Sequence, residues 1–314
     1  MYTEKVELFG GKFNLGTFHG LYSPGTSKKK EDGWAVEENV IGVFDAFSEP
    51  NSPDHPQIII KGMSLGEITS GTIKEYLGEV NCSSRSLPEI FGAVNDALLS
   101  RKEKLSIPKE TIRLVGASFA AIKPGEEKTE GIAGGDCFLL ARQKNGEIIM
   151  SENQVHLHDT EMNNKISELM QEAAEEMGIN LKYATRAQIS KVRGGMWNKF
   201  RPVLKKERGQ AINNPESPSG YASLNGDPRM NRMPQSFSFP TKEIQKIILF
   251  SDGWIDWKFL STLEKDSLAK FISELEERMG PEGVLHFTRS AESIRDAENY
   301  VSQAEATALV LRFQ

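Results

Sequence analysis

Five short apolar runs constrain this chain more than any other feature: Val40–Phe44 (VIGVF), Ala117–Ile122 (ASFAAI), Cys137–Ala141 (CFLLA), Ile247–Phe250 (IILF) and Thr307–Phe313 (TALVLRF). Each is rich in β-branched or aromatic residues and bounded by turn formers, the pattern of a buried strand. Lys12–His19 and Trp34–Glu37 are suited to edge strands. Turn signals at Ser23-Pro24-Gly25, Lys123-Pro124-Gly125, Gly134-Gly135-Asp136 and Lys144-Asn145-Gly146 separate the runs. Between them lie helical patterns. Gly66–Leu77 and Leu87–Arg101 repeat apolar residues at three- and four-residue steps, and in Glu161–Met177 the apolar set from Met162 to Met177 falls on one helix face. Asp159 or Thr160 is placed to cap that helix and Gly178 to end it; Leu263–Met279 reads as a further helix stopped by Gly280 and Pro281. Runs of strand separated by blocks of helix, without strict βαβ alternation, predict an α+β fold of antiparallel sheets covered by helices. Ala187 to Pro240, rich in Gly, Pro, Asn and Ser, reads as a structureless stretch, hence a functional flap or mobile insertion.

Bulk properties narrow the function classes. At 314 residues the chain can bury a large core, and layered folds of this size often form one unit. No stretch approaches the ~20 apolar residues needed to cross a bilayer. Met1 to Gly11 carries Glu4, Lys5 and Glu7 where a signal peptide would be apolar. Cys82 and Cys137 are too few for a disulfide framework or a thiolate metal site. The expectation is a cytoplasmic protein without a membrane partner. A net charge of −6 and a pI near 5.6 argue against nucleic acid. The basic stretch from Lys182 to Arg208 reads as a solvated face, with an anionic partner as the alternative.

Acidic residues stand at the ends of the most apolar strands. Asp45 directly follows VIGVF, Asp252 follows IILF-Ser, Asp136 sits in the turn before CFLLA, and Glu31 with Asp32 precedes Trp34. A carboxylate at the end of a buried strand has lost much of its water and needs a cation or strong donors to stay ionised. No lysine or arginine is adjacent to Asp45 or Asp252 in sequence. A hard divalent cation, which prefers oxygen ligands, satisfies several such groups at once. Taken singly, Ser251-Asp252-Gly253 is an ordinary turn, Gly134-Gly135-Asp136 a hairpin turn and Asp45 a helix cap; their order and setting together carry the metal reading.

That order resembles the PPM, or type 2C, metal-dependent protein phosphatases. Lys30-Glu31-Asp32-Gly33-Trp34 followed by Val43-Phe44-Asp45-Ala46 looks like the family's Glu-Asp-Ala and Val-Phe-Asp-Gly signatures. Gly116-Ala117-Ser118 and Ala133-Gly134-Gly135-Asp136 are similar to its Gly-Ser-Thr strand and Gly-Asp-Ser-Arg hairpin. Leu249 to Asp256 is similar to Ser-Asp-Gly-Leu-Trp-Asp, and Ala304 to Val310 resembles the closing Asp-Asp-Ala-Thr strand. The resemblance spans Glu31 to Phe313 in family order. It implies one phosphatase domain over 1–314, a four-layer αββα sandwich of two antiparallel sheets flanked by helices, with a flap or insertion near 187–240. It also implies hydrolysis of phosphoserine or phosphothreonine in a phosphorylated protein, with two Mg2+ or Mn2+ ions and a weaker third.

By the same resemblance Asp45 bridges the two metals with the Ala46 carbonyl as a further ligand, and Asp252 holds the first. Glu31 and Asp32 orient waters on the second, Asp256 adds support, and Asp136 helps hold the third. Two divalent ions ~3.5–4 Å apart can share and activate a water for attack on phosphorus, and oxygen ligands suit magnesium or manganese.

Three departures bear on activity more than on fold. Ala304 stands where the family usually has a ligand aspartate; Glu305 comes one position later and, on a regular strand, would face the opposite way. Phe47 replaces a histidine that many members carry after this motif. The family's phosphate-binding arginine before Glu-Asp is absent; Lys28 is the nearest cation with a catalytic part to play, a point charge where arginine offers a fork. These departures open a second reading, a degenerate module that binds a phosphoprotein or regulator without turnover. A monomer is the expectation.

Other motifs point nowhere sharper. His156-x-His158-Asp159 shares one face if it is a strand but lacks a third metal ligand, and reads as a polar surface strand. Gly10-Gly11 and Gly194-Gly195 lack the ending of a phosphate loop, Ser118 lacks the turn of a serine hydrolase, and Trp254 and Trp257 read as core.

Overall fold

The computed structural model describes residues 6–26, 29–37, 39–50, 56–79, 84–255, 262–299 and 303–314. The elements are β1 (Glu7–Phe13), β2 (Gly16–Ser23), β3 (Asp32–Val36), β4 (Ile41–Phe47), β5 (Ile59–Ile60), β6 (Met63–Ser64), α1 (Leu65–Glu79), α2 (Leu87–Lys104), α3 (Lys109–Ile112), β7 (Gly116–Lys123), β8 (Lys128–Gly134), β9 (Phe138–Gln143), β10 (Ile148–Met150), α4 (His156–Glu176), α5 (Arg186–Ala211), β11 (Gln235–Pro240), β12 (Ile244–Phe250), α6 (Lys265–Asn299) and β13 (Ala306–Phe313). One sheet runs β1-β2-β13-β12-β9-β10 and the other β11-β8-β7-β4-β3. Every pairing in both is antiparallel.

The alternation of strand side chains builds the layers. Ile41, Val43, Ala120 and Ile122 from one sheet interdigitate with Leu139, Ile247, Leu249, Leu309 and Leu311 from the other. The intervening residues face outward onto helices. Phe44, Ala46, Phe119 and Ala121 pack under α1 and α2 through Ile73, Leu87, Phe91 and Val94. Ile248, Phe250, Ala308 and Val310 pack under α6 through Leu268, Ile272, Val284 and Leu285. The result is helix, sheet, sheet, helix: the α+β fold of helix-covered antiparallel sheets expected from the pattern, in the four layers that the resemblance implies. Burying one Leu, Ile or Phe contributes roughly 1.5–3 kcal/mol, so each interior layer is a major source of stability.

Several local expectations change. Lys12–His19 is not one edge strand: Asn14 and Leu15 turn between β1 and β2, and β2 lies inside the sheet against β13. Gly134-Gly135-Asp136 is not a hairpin, because β8 belongs to one sheet and β9 to the other. That turn crosses the seam of the sandwich. His156 and His158 lie on helix α4, not on a strand, and α4 opens at His156 without a side-chain cap from Asp159 or Thr160. Gly178 does end it. With φ +64° it donates its N–H to Glu175 O, while Ile179 N–H reaches Ala174 O, a Schellman closure. Gly280 (φ +69°, ψ 173°) leaves the helical region and ends the first helical segment of α6 as expected; a second segment follows from Pro281.

The largest change is in 187–240, which is far from structureless. Arg186–Ala211 forms a 26-residue helix opened by a capping box, Thr185 with Gln188. Its Val192, Met196 and Phe200 bury against Met162, Leu169 and Ala173 of α4. Gly194, Gly195 and Pro202 oppose helix locally, and packing against α4 outweighs them. Beyond α5 a strap follows β7: Ala117 and Leu224 exchange backbone hydrogen bonds (3.1 and 2.9 Å). Lys102, buried in α2, holds this region by donating to Val115 O (2.6 Å) and Asn225 O (3.0 Å). Desolvation lowers its ammonium to about 7. β11 then pairs with β8.

Candidate metal centre

The face of each sheet that meets its partner turns polar at one end of the sandwich. Trp34 and Val36 share that face on β3, and two residues before Trp34 comes Asp32. On β4 the series Ile41, Val43 continues to Asp45, and on β7 Ile122, Ala120 leads back to Ser118. On the other sheet Ile247, Leu249 leads to Ser251, and Leu311, Leu309 leads back to Thr307. Period-two geometry thus aims all five polar side chains into the space between the sheets. Asp32 is the register partner of Asp45, and Asp45 of Ser118.

Two turns complete the cluster. Gly135 (φ +74°) crosses the seam where a Cβ would lie 2.1 Å from Ser118 Oγ, and delivers Asp136, which Ser118 hydrogen-bonds. Asp252 begins a 3-10 turn whose next residue, Gly253, leaves no room for a Cβ: it would meet Glu305 O at 1.7 Å. Asp45, Asp136 and Asp252 each present a carboxylate oxygen, and these atoms lie within 4.8 Å of one another. Among the described residues no lysine or arginine forms an ion pair with any of the three.

Burial is the first cause of the electrostatics and mutual repulsion the second. Desolvation, then the charges of Asp32, Asp252 and Asp136, push the Asp45 carboxyl well above the usual carboxylate range. Desolvation and the charges of Asp136 and Asp32 do the same to Asp252, and desolvation raises Asp136. Asp32 rises to about 7 through burial and the charge of Glu305, although Ser251 Oγ (2.8 Å) and Thr307 Oγ1 (3.1 Å) both donate to its Oδ2. An oxygen-only donor set with excess negative charge fits hard divalent cations.

Most of the residues expected at the site fall among the described ones. Asp32, Asp45, Ala46, Asp252, Glu31 and Glu305 line one cleft of about 390 Å³. Glu31 Oε1 accepts from Ser48 Oγ (2.5 Å) and Ser64 Oγ (2.6 Å), which fixes its direction. Glu305 does not face away. It precedes β13, so strand alternation does not govern it, and its Oε2 accepts from Asp32 N–H (2.9 Å) and Tyr22 hydroxyl (3.2 Å). Ala304 is exposed, and its carbonyl accepts from Arg289 (2.7 Å), which also reaches Gly253 O (3.5 Å). Asp136 lines an adjoining cavity of about 270 Å³ shared with Asp45. Lys28, Asp256 and Trp257 lie outside the described residues. Trp254 is core, its Nε1–H donating to Pro281 O (3.0 Å).

Other residues at the site were not singled out for it in sequence. Ser251, Thr307 and Tyr22 orient the acids, and the period-two pattern could have revealed the first two. His158, Asp159 and Arg208 reach the Asp136 cavity from α4 and α5, which strand patterns could not show. Burial lowers the His158 imidazole and favours its neutral form. Crowding and the charge of Asp136 raise Asp159 to about 7, though that residue is open to solvent at the rim.

No family model matches the chain, and no curated protein sequence matches it. Solved structures do. The chain is similar to bacterial serine/threonine phosphatases. Stp1 from Staphylococcus aureus aligns at 10% identity over 100% of this chain and 96% of its own, with a TM-score of 0.49. PstP/Ppp from Mycobacterium tuberculosis aligns at 14% identity over 95% and 98%, TM-score 0.48. The catalytic domain of PstP in complex with two manganese ions aligns at 11% over 98% and 97%, TM-score 0.47. Similarity at this level leaves the chemistry to this chain's own residues.

Proposed function

We propose that the chain is a metal-dependent phosphatase that hydrolyses phosphoserine or phosphothreonine in proteins, as a divergent relative of the PPM phosphatases. The convergence of Asp45, Asp136 and Asp252 to within 4.8 Å, without a pairing cation among the described residues, carries this reading. Asp45, the Ala46 carbonyl and Asp252 would hold two Mg2+ or Mn2+ ions, with Asp32, Glu31 and Glu305 oriented toward the same cleft and Asp136 on the side of a weaker third. Such ions supply charge neutralisation and an activated water at neutral pH.

This chain's residues do the rest. Ser251 and Thr307 hold the Asp32 carboxylate by Oδ2, while its backbone N–H and Tyr22 hold Glu305. Ser118 and Gly135 set Asp136 at the seam. In this reading α5 and the strap after it, within 187–240, form the flap beside the cluster with α4 packed against it, and the whole of 1–314 serves as one phosphatase domain. No helix among the described residues is long and apolar enough to cross a membrane; we place the protein in the cytoplasm, as a monomer, with a phosphoprotein as substrate.

The test is hydrolysis of a phosphoserine peptide with manganese or magnesium. EDTA abolishes it, and Asp45→Ala or Asp252→Ala lowers kcat/KM by about 10⁴-fold, on the order of 5 kcal/mol of lost charge stabilisation. Full activity in either variant refutes the mechanism. Ala304 favours a second reading, a binding module without turnover. Calorimetric titration separates the two: two tight ions support the enzyme, one weak ion the module.

A further inference from the structure

Arg208 enters the site from α5, far along the chain from the acidic motifs. Its guanidinium lies 5.0 Å from the ring centre of Phe47, the residue that follows Asp45 and Ala46. It lines the cavity shared by Asp45, Asp136, His158 and Asp159, and a neighbouring one of about 380 Å³ shared by Glu31, Phe47 and Glu49. Phe47 borders both of these and the Asp45–Asp252 cleft. One Nη1–H donates weakly to Ser48 O (3.3 Å). Its Nε is buried without a hydrogen-bond partner.

Among the described residues lining the two cavities that hold Asp45, Arg208 is the one lysine or arginine. A buried guanidinium donor left unmatched costs free energy until an acceptor arrives. Asp136 is already held by Ser118, and cations bound by the acids would compete for the carboxylates. Asp159 and Glu49 share these cavities without bonding to Arg208, which leaves the fork open to an anion brought by the ligand.

We propose that Arg208 is the phosphate anchor of this site, taking over from α5 the part that the resemblance would give to an arginine before Glu31. The proposal rests on the phosphatase reading above. The Phe47 ring lies against the guanidinium, and the planar fork donates two parallel hydrogen bonds to the oxygens of a phosphate monoester dianion. Arg208 thus acts on substrate binding, and its loss raises KM more than it lowers kcat.

The experiment uses the full chain loaded with manganese, with inorganic phosphate as a calorimetric probe and a phosphoserine peptide for kinetics. Arg208→Gln weakens phosphate binding and raises KM by about 10- to 100-fold while two manganese ions still bind, and Arg208→Lys recovers part of the loss. Retained manganese stoichiometry shows that the variants are folded. Wild-type phosphate affinity and KM in Arg208→Gln overturn the proposal. Manganese uptake by the wild type without phosphate binding overturns it too, and leaves the metal site standing. No manganese uptake at all overturns the phosphatase reading, and this one with it.

Discussion

Glu276 is a buried carboxylate and Asp45 a half-buried one on the same sandwich, and their surroundings differ in one respect. Glu276, on α6 against the outer face of the six-stranded sheet, accepts from Lys246 Nζ (2.6 Å) on β12 and Arg312 Nη2 (2.7 Å) on β13. Lys246 is completed by Ser273 O (3.0 Å). The Glu276 charge is therefore matched from within the chain. Asp45, at the end of the inner face, has Asp32, Asp136 and Asp252 as its charged neighbours. A buried charge matched from within holds elements together; a buried charge matched by nothing in the chain needs something from outside. Removing a ligand's charge from the second should relieve repulsion, whereas removing a partner from the first strands one.

The largest effect separating these clusters is expected from Glu276→Ala, which leaves Lys246 buried and unpaired. Urea unfolding of the metal-free chain should show about 3–5 kcal/mol of lost stability, with manganese stoichiometry retained. A loss under 1 kcal/mol would show that water reaches Lys246 and that the contrast is overdrawn. Next comes manganese itself. At 100 times its dissociation constant it should stabilise the wild type by about 2.7 kcal/mol per site, read as a higher melting temperature, and Asp252→Ala should lose most of that gain. Smaller again, Asp45→Asn should raise the stability of the metal-free chain by about 0.5–2 kcal/mol while impairing metal binding, a trade of function for stability. Destabilisation by Asp45→Asn in metal-free buffer would show that the clustered carboxyls do not cost the folded chain stability.

The finest distinction is in pH. The Asp32 carboxyl is raised in the folded chain from 3.8 to about 7. Between those values the folded state binds more protons than the unfolded, so metal-free stability should fall as pH climbs from about 4 to about 7. Metal binding displaces the protons, so manganese affinity should rise across the same window. A metal-free stability that increases through this range, followed by thermal melts at fixed ionic strength, would contradict the raised carboxyl.

Legibility followed the range of the interactions. The buried strands could be read because burial on both faces demands unbroken apolar runs, and β4, β7, β9, β12 and β13 all lie on them. Asp32, Asp45, Asp136 and Asp252 stood out because carboxylates rarely end such runs without cause. Helix α5 was missed because its local residues, Gly194, Gly195 and Pro202, argue against the helix that α4 stabilises. Glu305 was misplaced because the strand begins one residue later than the alternation assumed. Arg208 could be found as part of a basic run, but no local pattern distinguishes the arginine that reaches the cavity of Asp45 and Asp136.

The one-dimensional chain determined which side chains face inward on each strand, since period-two alternation follows from backbone geometry alone, and it determined that acids or hydroxyls close those inward series. Only the stacking of the two sheets decided that Asp45, Asp136 and Asp252 meet, because the turn after β8 crosses between sheets instead of closing a hairpin. Only the packing of α5 on α4 brought Arg208 to Phe47. Proximity between residues far apart in the chain is a property of how buried surfaces match in three dimensions, and no local preference encodes it.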